Sequence, residues 1–248
     1  EGESAKIKKV NIIGNEIFTD EDLMSGFELQ EGKWYSFLSN KNKYSKEKLE
    51  GDIENLESFY LNRGYLKFSI ESSQVSVSKD KKDVFITLSI SEGTQYKVDE
   101  VNVIGEMPLE KTLYTPIVES QKGQIYSQAQ ITQIEEYFVN LLGNEGYTFA
   151  EVSGNPEINE DNETVSLLFL VQPGNRTYAR KILFAGNFLT NDDVLRREMR
   201  QFEGAWASDN LIEASKVRLE RLGFFKEVNV ETIPVAGSED QVDIEFSV

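Results

Sequence analysis

One pattern occurs three times in this 248-residue chain, and it constrains the fold more than anything else in the sequence. A strand-like run ends in Gly at Val10-Asn11-Ile12-Ile13-Gly14-Asn15, at Val101-Asn102-Val103-Ile104-Gly105-Glu106 and at Ile182-Leu183-Phe184-Ala185-Gly186-Asn187. Further on, a helical stretch ends in Gly plus an aromatic, at Arg63-Gly64-Tyr65, Glu145-Gly146-Tyr147 and Leu222-Gly223-Phe224. Two alternating strands then close each unit. A row of copies is the signature of a scaffold or a binding surface rather than of one catalytic pocket.

In the first unit, Ile7 to Ile13 alternates around Val10 and Ile12, as a half-buried strand does. Gly14-Asn15 turns the chain, because both residues tolerate positive φ. Thr19-Asp20-Glu21-Asp22 reads as a helix start, a hydroxyl cap followed by acids that the helix dipole favours. A second helix begins near Ser45, with Leu49, Ile53, Leu56 and Tyr60 on one face and Gly64 at its left-handed end. Strands over 73–78 and 84–90 flank the polar hairpin loop 79–83. The second unit repeats this order: a strand over 98–104, a helix from about Pro108, and a helix capped at Ser127 with Ile131, Ile134, Phe138 and Leu141 on one face. Strands near 150–153 and 165–171 complete it. In the third unit a strand over 178–185 precedes a helix capped at Thr190, a helix from Ser208, and strands near 226–233 and 241–248. The chain is therefore expected to be α+β, three tandem β-α-α-β-β units over 1–93, 94–174 and 175–248. The turns between them are short, which predicts limited bending.

Composition narrows the function. The formal net charge is −17, and residues 94–173 hold 13 acids against 3 bases. Such acidity argues against nonspecific nucleic-acid binding and against lying flat on an anionic membrane. The chain has no Cys and no His, which excludes zinc sites built on them, Cys nucleophiles and the Ser-His-Asp triad. No apolar run approaches the ~18–20 residues that span a bilayer, and no signal peptide is visible, as in a mature chain or an excised piece. The first unit carries an extra stretch over 31–44 in which Trp34, Tyr35, Phe37 and Leu38 are apolar. They either pack back onto the unit or face a partner.

This organisation, with these residues, resembles the POTRA (polypeptide-transport-associated) domains of the BamA family of outer-membrane β-barrel assembly factors. The most specific stretch is Val194-Leu195-Arg196-Arg197-Glu198-Met199-Arg200-Gln201-Phe202-Glu203-Gly204-Ala205-Trp206, followed by Arg218-Leu219-Glu220-Arg221-Leu222-Gly223-Phe224-Phe225. It is similar to the fifth, membrane-proximal POTRA. Leu61-Asn62-Arg63-Gly64-Tyr65 is similar to the third, and Leu141-Leu142-Gly143 with Gly146-Tyr147 to the fourth. The resemblance covers essentially the whole chain. It implies a piece spanning the third to fifth repeats, without the first two and without the C-terminal barrel. It further implies a three-stranded mixed sheet per repeat, covered on one face by two helices, and a non-enzymatic periplasmic scaffold with no cofactor. The partners implied are the lipoproteins BamB and BamD, with BamC and BamE as further candidates, and unfolded outer-membrane clients. No nucleic acid is implied, and the membrane only through the absent barrel.

Two candidate sites follow. A three-stranded sheet covered on one face has two open edges, and open edges template added strands whatever the incoming sequence. The resemblance implies that the edge used is the second strand of each unit, which in the first is Ser73-Gln74-Val75-Ser76-Val77-Ser78, with Val75 and Val77 on one face and small Ser residues on the other. The two valines are either core beneath the helices or part of an exposed edge. The resemblance carries the BamB role to this edge, Gln74, Val75, Ser76 and Val77. In the third unit, Arg196 and Arg200 are i,i+4 neighbours on a predicted helix, with Glu203 three residues beyond. They form either an internal ion pair or a charged interface suited to carboxylate pairing. The resemblance carries BamD docking to Glu203, with Arg196 and Arg200 beside it. Trp206 is core or an interface anchor. A carboxylate-pair hydrolase, calcium binding at Asn159–Glu163 and a related POTRA-bearing transporter such as TamA are weaker readings. The Arg196–Trp206 stretch favours BamA over the last.

Overall fold

Local alternation and capping become the expected elements in a computed structural model of the chain, which describes residues 6–29 and 43–248. The first repeat runs β1 (Lys6–Ile13), α1 (Asp20–Met24), α2 (Lys46–Leu61), β2 (Ser69–Val77) and β3 (Asp83–Ser91). The second runs β4 (Lys97–Gly105), α3 (Lys111–Glu119), α4 (Gln128–Asn144), β5 (Glu151–Asn159) and β6 (Thr164–Gln172). The third runs β7 (Tyr178–Ala185), α5 (Asp192–Arg196), α6 (Asp209–Arg221), β8 (Asn229–Pro234) and β9 (Gln241–Ser247). The apolar stretch Trp34-Tyr35-Phe37-Leu38 lies outside the described residues.

Each repeat holds one three-stranded sheet, in the orders β1-β3-β2, β4-β6-β5 and β7-β9-β8. β1 and β7 lie parallel to the central strands β3 and β9, while β2 and β8 lie antiparallel to them, so these sheets are mixed. The last strand in sequence becomes the central one, and its inward residues are the most deeply buried: Val84, Ile86, Leu88 and Ile90 in β3, and Val242, Ile244 and Phe246 in β9. Leu49, Leu56 and Tyr60 of α2 close the first core over the sheet, with Leu23 of α1. Leu195, Ile212 and Leu219 do the same in the third. By their internal contacts the described residues form two compact units, one of 6–29 and 43–100 with 121–131 and 157–166, the other of 101–120, 132–156 and 167–248.

Gly14 shows why the repeat begins as it does. Its φ is +97°, and a Cβ there would lie 2.1 Å from the Ile90 carbonyl oxygen. Only glycine lets the turn leave β1 so close to β3. Gly105 and Gly186 meet Val171 and Val248 in the same way. Beyond this turn, Thr19 caps α1 as expected and Asp22 reciprocates, a full capping box.

Two acids that composition treats as surface charge are buried in the first repeat. Glu92 accepts from the Glu16 and Ile17 amides at 2.8 and 3.0 Å and from the Tyr60 hydroxyl at 2.6 Å, fastening the β1–α1 turn to α2. Burial, reinforced by Glu92, pushes the Tyr60 phenol far above its ordinary range. Asp52 accepts from the Glu28 and Leu29 amides at 2.6 and 3.0 Å. Burial raises its pKa, and those two bonds oppose the rise.

Several boundaries differ from the sequence reading, each for a local reason. β2 starts at Ser69 rather than Ser73, because a register shift between Ile70 and Ser72 breaks the alternation. β5 extends to Asn159 through Pro156, which an edge strand tolerates because its outer N–H has no ladder partner to lose. α3 begins at Lys111, after the extended Glu110, rather than near Pro108. Asn191, not Thr190, occupies the N-cap of α5. On α4 the buried face runs through Leu142 rather than Leu141.

Candidate partner-binding surfaces

An edge strand offers its backbone only where nothing already covers it. The structure corrects the expectation of two open edges per sheet. The outer edge of β7 is met by the segment before α6: Ala179 N–H donates to Ala205 O at 2.9 Å, Gly204 N–H to Ala179 O at 2.7 Å and Ala207 N–H to Thr177 O at 2.9 Å. Residues 123–126 engage the start of β4 in the same way, through Val98 and Tyr96, and Lys43 bridges Lys6 of β1. The first strand of each repeat is thus partly covered, and among the described residues the free edges are those of β2, β5 and β8.

These three edges are not equivalent. β5 carries Pro156, and the Glu135 carboxylate takes its Gly154 amide at 2.5 Å. β8 is only six residues long and ends in Pro234. Proline and short length are the usual means of blunting an edge. β2 is nine residues long, has no proline, and its last five residues are all exposed. Val75 and Val77 lie opposite Ile86 and Val84, on the helix side of the sheet, yet their residues are 38% and 55% exposed. They are therefore not core: the helices stop short of this corner. Gln74 and Ser76 sit on the other face, opposite Thr87 and Phe85.

The ladder fixes which backbone groups face outward. Ser78 N–H donates to Asp83 O at 2.9 Å, so in an antiparallel pair the alternate residues Ser76 and Gln74 bond inward to β3. Val75 and Val77 then point their N–H and C=O groups to the open edge, with exposed apolar side chains beside them. An incoming strand would find backbone partners and a small apolar strip together.

In the third repeat, Arg196 and Glu203 come together, and Arg200 does not join them. α5 ends at Arg196, so Arg200 is not on a shared helical face. The physical reason is Ser215, whose hydroxyl accepts from the Arg200 and Gln201 amides at 2.8 and 3.2 Å and holds that segment off the helix. Arg200 Nη1 instead donates to Met199 O at 3.0 Å. Arg196 Nη1 donates to Glu203 Oε1 at 3.3 Å, and its Nε to Asp192 Oδ2 at 2.6 Å. Both partners also grip the β7 backbone: Ile182 N–H donates to Glu203 Oε1 at 2.8 Å, and Arg196 Nη2 donates to Ile182 O at 3.1 Å. The Asp192 carboxylate, and then Glu203, hold the Arg196 guanidinium above its ordinary pKa. Asp192 was legible as an i−4 acid; the Ile182 backbone was not. The Glu203 side chain remains 46% exposed, so an internal role leaves it within reach of a partner. Trp206 is neither core nor free, since the Arg176 guanidinium lies 3.8 Å from its ring centroid.

Comparison with known proteins agrees with this architecture. The family model for POTRA, described as a surface antigen variable number repeat, matches residues 5–93, 96–174 and 177–248. Along its full length the chain is 32% identical to the outer membrane protein assembly factor BamA of Neisseria meningitidis serogroup B, of which it covers 31%. It is also 32% identical over its full length to BamA of Buchnera aphidicola, covering 40% of that protein. The chain thus spans about a third of the length of the curated relatives it matches. The solved structure of Haemophilus influenzae BamA POTRA3-5 is 31% identical, with a TM-score of 0.82 over 99% of this chain and 96% of that one. POTRA repeats of BamA are the periplasmic part of an outer-membrane protein, and among the described residues no helix is long and apolar enough to cross a membrane. Three tandem β-α-α-β-β units, each with a three-stranded sheet, and a family match over nearly every residue lead to one assignment: the chain belongs to the POTRA family.

Proposed function

We propose that this chain is a non-enzymatic docking scaffold for the assembly and insertion of β-barrel proteins into the outer membrane, working in the periplasm. Its repeats are bounded at 1–93, 94–174 and 175–248. Gln74, Val75, Ser76 and Val77 form the edge that a BamB-like lipoprotein extends by one strand, and unfolded barrel clients compete for edges of the same kind. Glu203, bonded to Arg196, forms the charged surface for a BamD-like lipoprotein, and Arg200, three residues before Glu203 but not joined to the pair, is a separate contact on the same segment. BamC and BamE are further candidates for the same assembly, and no cofactor is required.

The observation that carries this reading is the contrast among the three free edges, which occupy the same place in each repeat. Proline, an acid or short length blunts β5 and β8, whereas β2 keeps an outward backbone flanked by exposed valines. Backbone pairing suits a receptor whose clients differ in sequence but share extended conformation. In the test, the chain is immobilised and offered purified BamB and BamD separately. Both should be retained, BamD more weakly as salt rises because charged contacts are screened. Retention of neither would overturn the proposal.

A further inference from the structure

The two connections between repeats share three corresponding hydrogen bonds. The first lies within one compact unit. Asn62, which ends α2, accepts through Oδ1 from the Ala129 amide at the start of α4, at 2.8 Å. Gln95 Nε2 donates to Arg63 O at 2.9 Å, and Tyr96 N–H donates to Gly64 O at 2.9 Å. The second connection lies within the other unit. Asn144, which ends α4, accepts from the Asn210 amide at the start of α6, at 2.9 Å. Arg176 Nε donates to Glu145 O at 2.5 Å, and Thr177 N–H donates to Gly146 O at 2.8 Å. Asn62-Arg63-Gly64 and Asn144-Glu145-Gly146 thus act as the same three-residue socket.

The glycine is part of it. Gly64 and Gly146 have φ of +89° and +95°, and a Cβ would lie 2.8 Å from Ile125 Cγ2 in one and 3.0 Å from Trp206 Cβ in the other. Ile125 and Trp206 are equivalent, each bridging the start of its repeat's first strand.

The asparagines answer a need in the following helix. The first turn of a helix has amides without internal partners, and a side-chain acceptor stabilises it. Local capping is weak at both places: Ser127 Oγ reaches only the Gln130 amide, at 3.5 Å, and Ser208 makes no side-chain cap bond. The preceding repeat supplies the acceptor. The third repeat departs from the pattern. Arg221-Leu222-Gly223 has no Asn, and a Cβ on Gly223 would meet nothing within 4 Å.

We infer that Asn-x-Gly at the end of a repeat's long helix is a docking surface whose partner is the N-terminus of the second helix of a following repeat, and that Asn62 and Asn144 couple the stability of neighbouring repeats. In tandem arrays, interface contacts of this kind decide whether neighbours open together. The inference is independent of which lipoproteins bind.

Amide hydrogen exchange on the full chain tests it. Asn62→Ala should speed exchange at the Ala129 amide by roughly fivefold, the effect of losing one cap, and leave Asn210 unchanged. Asn144→Ala should do the reverse. Asn62→Asp and Asn144→Asp, which keep an acceptor at the helix start, should exchange like the parent chain. Alanine variants with unchanged rates at these two amides would overturn the inference, as would aspartate variants accelerated as much as the alanine ones.

Discussion

Val75→Pro and Val77→Pro should each abolish most strand addition at the first repeat while leaving the repeat folded. Both residues turn their N–H groups away from β3, so proline removes no ladder bond inside the sheet. It does remove the outward donor that an added strand needs, and its ring obstructs the edge. Loss of one backbone bond, worth ~1 kcal/mol net, corresponds to roughly fivefold weaker binding in each single variant, and loss of two to roughly thirtyfold weaker binding in the double variant. Ser76→Pro is the counterpart. Its N–H points inward, so the same substitution one residue away should cost about 2 kcal/mol or more of stability through the broken ladder. Titration of purified BamB against the four variants, with thermal unfolding of each, reads both effects. A Val75→Pro, Val77→Pro chain that binds as tightly as the parent would remove the edge from the account.

Glu203→Lys should weaken capture of a BamD-like partner at least tenfold, because it sets like charge against the surface that an acid would attract. The structure adds a consequence for the fold. Glu203 Oε1 also receives the Ile182 amide and Arg196, so lysine leaves that amide without its acceptor. A destabilisation of about 1–2 kcal/mol is expected, a shift of several degrees in Tm that still leaves the third repeat folded at physiological temperature. Glu203→Gln separates the two roles. Its amide oxygen still accepts from Ile182, so stability should stay near the parent while capture falls to an intermediate level. Capture of BamD by the lysine variant at parental levels would rule Glu203 out as a contact.

The repeat and its element order were legible because glycine turns, caps and apolar faces are local signals. Thr19, Ser45 and Gly14 each announce a boundary within a few residues of themselves. What the sequence hid depends on distant segments. The alternation of Val75 and Val77 assigns them to the helix side of the sheet, but only packing reveals that the helices end before reaching them. Helical spacing links Arg196 to Arg200, yet Ser215, far along the chain, ends that register by taking two amides. Nothing local shows that residues 204–207 cover the edge of β7. Glu92 and Asp52 look like any of the 43 acids, although Asp52 shares the apolar face of Leu49 and Leu56, a signal of burial that was available. The socket asparagines stood in the sequence as a repeated Asn-x-Gly, but its meaning needed the following helix.

On the proposed function, two different repeats hold two different partners, one by backbone pairing and one by charge. Site-specific crosslinking in intact cells, from a photoreactive residue in place of Val77 or Glu203, tests it most directly. Val77 should capture BamB and Glu203 should capture BamD, with Val75→Pro weakening only the first adduct. Capture of the same partner from both positions, or of neither lipoprotein from either, would contradict it.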